Sequence, residues 1–254
     1  MGDGLLAFGD EPAGVSQYLS ANSQTLTALL SVNAFVKAKP DRAERGVRCN
    51  EHPSSVLIDP TADTARPLAD ALAYRWSPRA FADRSVSPED LRTVLEAGRW
   101  AASSGNSQPW RYVVARREDA DAFAALLACL NEGNQRWAKD APVLMLAFAR
   151  RTNDAGKKIF YAHHDLGAAS AQMAVQAASM GMQVHQMAGV LKDKMVETVG
   201  APDDMEPMTA LVLGWPGEPD TLPEDLEARE RAPRTRLPFD AVFFSGTWGE
   251  AVGE

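Results

Sequence analysis

The stretch from Phe160 to Met180 spans about six helical turns and reads GAASAQMAVQAAS through its centre. Alanine gives up little side-chain entropy in a helix, so this composition favours one. Gly181 stands where a left-handed residue commonly closes a helix. Side chains this small let another element approach closely along the helix, so the fold is expected to be organised around it. The second constraint is Val143 to Ala149, a continuous apolar run that reads as a strand covered on both faces.

Shorter signals fill in the rest. Arg66 to Tyr74 reads as a helix with Leu68 and Leu72 on one face. Ser87-Pro88-Glu89-Asp90 is a helix start, with a serine cap, proline in the first turn and an acid three residues on, and the helix is expected to run to Ala101. Arg111 to Arg116 reads as a strand, Asp119 to Leu130 as a helix and VHQMAGV, Val184 to Val190, as a loop. Leu191 to Val199 reads as a helix and Met208 to Trp215 as a third strand. A turn-rich loop over Pro216 to Glu224, a charged helix and a tail complete the chain. Few strands among many helices predict an α+β domain, a small central sheet wrapped by helices.

Residues 1–60 read differently. They are polar and broken by prolines, with a weak stripe through Leu26, Leu29 and Leu30. An N-terminal extension of low order is expected there, with the folded domain over residues 61–254. A net charge of −8 and a pI near 5.1 disfavour non-specific binding to nucleic acid, which depends on neutralising phosphates, although an acidic protein can still carry a local basic site. The apolar runs are too short to cross a bilayer, and the opening MGDGLLAFGDEPAG lacks the basic and apolar regions of a secretory signal. Cys49 and Cys129 form no CxxC pair. A cytoplasmic protein without disulfides is expected.

Nucleotide-loop, zinc-protease and serine-hydrolase motifs are missing. His163, His164 and Asp165 look like metal ligands in print, but helix neighbours diverge by roughly 100°, so no metal site is expected. The arginines are more informative. In YRWSPRAF, Pro78 keeps the segment out of helix, and alternation places Arg75, Ser77 and Arg79 on one side. Two guanidinium forks around a hydroxyl suit a phosphate, and Arg234-Thr235-Arg236 repeats the geometry near the other end of the chain. Either pair alone could be solvated surface. Asn134 could be a turn former or a cap, and SSGNSQPWRY, Ser103 to Tyr112, places four polar side chains on a loop that needs few.

Four blocks in order, RWSPRAF, AASSGNSQPWRYVV, AASMGMQVHQMAGV and LGW followed by RTRLPF, resemble the FMN-dependent nitroreductases over about Thr61 to Trp248. The resemblance implies that family's fold and a homodimer with FMN at the interface. It implies that Arg75 and Ser77, joined by Arg234 and Arg236, hold the FMN phosphate, with Trp76 in the same cofactor-binding segment. Arg79 and Asn134 would meet the pyrimidine edge of the isoalloxazine. Gln186, Met187, Ala188 and Gly189 would lie along the ring, the backbone of Ala188 and Gly189 facing N5. The family often has a glutamate and a preceding proline there, where this chain has Ala188 and Gln186. Ser103, Ser104 and Gln108 would reach the partner subunit's flavin, with Ala102 in place of a common proline and Asn106 shaping the loop. The implied activity is ping-pong transfer of hydride from NADH or NADPH, through flavin N5, to a small acceptor such as a nitroaromatic or quinone. A relative with a non-reductive reaction and a non-enzymatic flavin-binding protein stay open.

Overall fold

The computed structural model of the protein describes residue 62 and residues 64–253, and the expected N-terminal extension with its leucine stripe lies outside the described residues. The described chain is α+β. Its strands are β1 (Trp110–Arg116), β2 (Val143–Arg150), β3 (Gln183–Met187) and β4 (Met205–Gly214). Its helices are α1 (Asp70–Tyr74), α2 (Pro88–Arg99), α3 (Ala120–Leu127), α4 (Glu132–Ala138), α5 (Ala162–Ser179), α6 (Lys192–Val199) and α7 (Glu224–Arg231). The strands form one sheet in the order β1-β2-β4-β3, every neighbouring pair antiparallel.

β2 lies inside this sheet, between Val114 of β1 and Leu211 of β4 at Met145. Because strand side chains alternate, its residues divide between two cores. Leu144, Leu146 and Phe148 pack with Phe123 of α3, Trp137 of α4 and Met195 of α6. Val143, Met145, Ala147 and Ala149 pack on the opposite face with Val94 of α2 and with Leu166, Ala169 and Met173 of α5. Helices therefore cover both faces, and an apolar side chain is needed at each position of the strand.

The small residues of α5 do admit a close neighbour, and that neighbour is α2. A Cβ added at Gly98 would stand 2.7 Å from Met173 Cγ and 3.4 Å from the Ala169 carbonyl oxygen. The start of α2 follows its sequence: Ser87 Oγ accepts from Asp90 N at 3.0 Å, with Pro88 in the first turn.

Several expectations need correction. The helix read over Asp119 to Leu130 ends at Leu127, and α4 begins after Asn131, whose side chain accepts from Asn134 N. Asn131, not Asn134, is the cap. VHQMAGV is not a loop throughout: Val184 to Met187 belong to β3, paired with β4 from Gln183↔Gly214 to Met187↔Ala210. The sheet thus has four strands where three were expected. α1 begins at Asp70, after Pro67, and α2 ends at Arg99.

Candidate functional site

Residues 74–80 leave α1 and run without a helix or a ladder partner of their own. Pro78 has no N–H to offer either structure. Arg75 N and Ala80 O bond to backbone, of Ala71 and Gly217, and several of the peptide groups between them are held by side chains from distant elements. Gln183 of β3 donates from Nε2 to Tyr74 O (3.0 Å) and accepts on Oε1 from Trp76 N (3.1 Å). His185, two residues along the same face of β3, hydrogen-bonds Pro78 O through Nδ1 (2.8 Å). A carbonyl can only accept, so Nδ1 carries the proton. Glu230 of α7 accepts on Oε1 from Arg79 N (2.7 Å) and Ala80 N (3.1 Å). Arg234 donates to Arg75 O (3.0 Å).

Held this way, the segment lines a cleft of about 210 Å³ with Arg75, Trp76, Ser77 and Arg79, opposite Arg229, Glu230, Ala232, Arg234 and Arg236. Five guanidinium groups face one carboxylate. Arg75 Nη1 is 3.5 Å from Ser77 Oγ. The pKa of Arg75 is lowered by burial and then by the charges of Arg234 and Arg236, and that of Arg234 by burial and then by Arg236. These cations repel one another, and an anion between them relieves the repulsion. Trp76 Nε1, which is buried, has no acceptor among the described residues. A cluster of guanidinium groups beside the Ser77 hydroxyl fits a phosphate.

His185 lies between this segment and the core, its ring 4.5 Å from that of Trp137. Burial, with the Arg79 and Arg229 charges adding to it, pushes its pKa down to about 4, against the pull of its bond to Pro78, and the ring is neutral at pH 7.

Beyond β3 the chain turns at Ala188 and Gly189. Gly189 O accepts from Asn131 N (3.0 Å) and from Asn134 Nδ2 (3.1 Å). Any larger residue at 189 would collide with these amides, a Cβ there lying 2.7 Å from Asn134 Nδ2. Gln186 and Ala188 are exposed, whereas Met187 is buried in the core.

The loop after α2 is shaped from within. Gly105, Asn106 and Gln108 all have positive φ (56°, 54° and 45°). Ser103 Oγ accepts from Gln108 N (3.0 Å), and Gln108 Nε2 donates to Asn106 Oδ1 (3.1 Å). Ser104 N donates to Asp165 Oδ2 (3.0 Å), which ties the loop to the first turn of α5. The other residues of the apparent metal motif are engaged apart from one another, His163 with Glu206 and His164 with Asp165.

Arg75, Trp76, Ser77, Arg79, Arg234 and Arg236 thus share one cleft. Asn134 and Gly189 meet at the turn after β3. Ser103, Ser104 and Gln108 do not line the cleft of their own chain. Sequence reading missed Gln183, His185, Arg229 and Glu230, none of which stands in a local pattern that marks it.

The model of the Nitroreductase family matches residues 72–215. The chain belongs to the nitroreductase family. Among solved structures it resembles an oxidoreductase containing FMN, at 34% identity and a TM-score of 0.70, over 76% of this chain and 98% of that one. An uncharacterised 15.4 kDa protein from the ask 5′ region of Mycolicibacterium smegmatis is 36% identical over 149 residues, 56% of this chain and 99% of that protein. A protein of Archaeoglobus fulgidus, provisionally named NADH dehydrogenase/NAD(P)H nitroreductase, is 25% identical over 157 residues, 56% of this chain and 81% of its own length. The arginine segment, β3 and the turn at Gly189 all fall inside the family match, while Glu230, Arg234 and Arg236 lie beyond it.

Proposed function

We propose that this nitroreductase-family protein is an FMN-dependent oxidoreductase that moves hydride from NADH or NADPH to a small electron acceptor. The arginine cleft carries the reading: five guanidinium groups and the Ser77 hydroxyl line one cleft, in a chain similar to an FMN-containing oxidoreductase. When bound, FMN would supply hydride-transfer chemistry at N5, with NADH or NADPH as donor and a nitroaromatic or quinone as acceptor in a ping-pong cycle.

The chain's own residues bind and orient. Arg75, Arg234 and Arg236 supply charge to the phosphate and Ser77 a hydroxyl, with Trp76 in the same cleft-lining segment. Arg79 has five N–H donors, and its bond to Glu230 through Nη1 (3.5 Å) leaves others for the pyrimidine edge of the ring. A fixed cation at that edge stabilises negative charge on the reduced ring. Asn134 keeps its second amide hydrogen after donating to Gly189 O. Gln186, Met187, Ala188 and Gly189 would border the ring. Hydride transfer needs no protein acid or base, consistent with an arginine cleft built for binding.

We take the active form to be a cytoplasmic homodimer. Ser103, Ser104 and Gln108 lie off the cleft of their own chain, which supports their serving a partner subunit's flavin. Among the described residues no helix is long and apolar enough to cross a membrane. Residues 1–60 are taken as an extension dispensable for flavin binding, since the family match begins at residue 72; a chain starting at Ser55 should bind FMN as the full chain does.

The test is direct. Purified protein incubated with FMN and then desalted should keep flavin absorption and should oxidise NADH or NADPH faster when a quinone is added. A preparation that stays colourless overturns the cofactor, and with it the activity.

A further inference from the structure

Glu230 is out of place on charge grounds. A carboxylate with a side chain 1% exposed, at the foot of an arginine cluster, subtracts from the attraction the cluster exerts on an anion. What it adds is geometry, because it fixes two consecutive peptide N–H groups, those of Arg79 and Ala80. Gln183, 4% exposed, does the same from the other side. Its carboxamide bonds to Tyr74 O and Trp76 N, so the peptide groups on both sides of Arg75 are fixed. His185 holds Pro78 O between these two points. A side chain's direction in an extended segment follows from its backbone, and here the backbone has no ladder to set it.

We infer that Gln183, His185 and Glu230 are positioning residues that fix the backbone of residues 74–80 and thereby aim Arg75, Ser77 and Arg79 into the anion cleft. The inference rests on the proposed flavin reading. None of the three need touch the cofactor. They act by removing the freedom the segment would otherwise lose on binding, which is the advantage of a preorganised site. Gln183 and His185 share one face of β3, and that strand leads on to the turn at Gly189. One rigid element therefore sets both the phosphate segment and the turn proposed to border the ring.

The experiment compares the wild-type chain with Gln183→Leu, which keeps the volume and removes both hydrogen bonds. Two quantities are read: the affinities of the apoprotein for FMN and for riboflavin, and the amide exchange rates of residues 74–82 and of β2. The expected result is an FMN affinity lower by about tenfold or more and a riboflavin affinity lowered by a smaller factor, since Arg79 and the turn at Gly189 also serve the ring. Exchange over residues 74–82 should be faster while β2 is unchanged. If Gln183→Leu does not fold, His185→Phe keeps a ring against Trp137 and loses the backbone hydrogen bonding of His185 to Pro78 and Ser77. It should move the same ratio in the same direction, and His185→Gln, which restores a donor, should recover it. An FMN-to-riboflavin ratio that stays at the wild-type value in these variants, or exchange over residues 74–82 that does not change, overturns the inference and leaves the flavin reading intact. A wild-type protein that binds FMN no better than riboflavin overturns the flavin reading, and the inference falls with it.

Discussion

His185 couples the arginine segment to the pH of the medium. Its pKa, pushed down to about 4 from an ordinary value near 6.5, makes the buried neutral ring a source of stability. That contribution is fully present above pH 6.5 and is lost as the pH falls toward 4, because the unfolded chain takes up the proton first. Arg79 and Arg229 face the ring and oppose its protonation in the folded state. Wild type should lose about 2 kcal/mol relative to His185→Gln between pH 7 and 4.5, as read from urea unfolding midpoints; parallel curves would contradict the assignment. In the cleft itself, Arg75→Ala should weaken FMN binding by about 1.5–3 kcal/mol, and Arg236→Ala, on an exposed residue, by the low end of that range. Riboflavin, which lacks the phosphate, should bind both variants nearly as it binds wild type, and equal losses for the two flavins would place these arginines elsewhere. The Arg-x-Ser-x-Arg spacing was legible because it is local and Pro78 forces extension. The clamp behind it was not, since Gln183 and Glu230 meet the segment across 107 and 151 residues of chain.

At the scale of elements, legibility followed how local the cause of each element is. The start of α2 is written in four consecutive residues, and β2 announces itself because both of its faces are core. β3 was hidden for the opposite reason. It has five residues, one neighbouring strand and a polar Gln183 and His185 on one face, so neither a clean alternation nor an apolar run marks it. The break between α3 and α4 was hidden as well, because the Asn131 cap competes with an apolar pattern that continues to Leu130. The contact between α2 and α5 gives an element-scale prediction. Gly98→Val should destabilise the protein by about 1–3 kcal/mol, because the new side chain enters space held by Met173, 99% buried, and the α5 backbone. The melting temperature should fall while the ratio of FMN to riboflavin affinity stays at the wild-type value. An unchanged melting temperature would mean that the two helices separate freely.

At the scale of the whole molecule, the described residues include several large apolar side chains that are exposed. Trp100, Phe160, Leu237 and Trp248 are each more than 70% exposed, and Tyr161, Phe239 and Phe243 more than half. Several lie in the segment after α7, where Phe239 packs tilted against Phe243 and Phe244 against Trp248, the ring centroids of each pair 4.8 Å apart. Apolar surface on this scale is more often an interface than a solvated face, and the homodimer proposed above would cover it together with the polar loop at Ser103, Ser104 and Gln108. Sedimentation of the FMN-loaded protein should therefore give twice the 27.5 kDa of one chain. A chain ending at Pro238 keeps Arg234 and Arg236 but loses Phe239, Phe243 and Trp248. It should dissociate at a protein concentration about tenfold higher or more than the full chain, the loss of a few buried aromatic contacts, and its FMN affinity should fall in step with the loss of dimer. An FMN-loaded monomer with full reductase activity would show that each flavin is served by one chain alone, and the polar loop would then need another explanation.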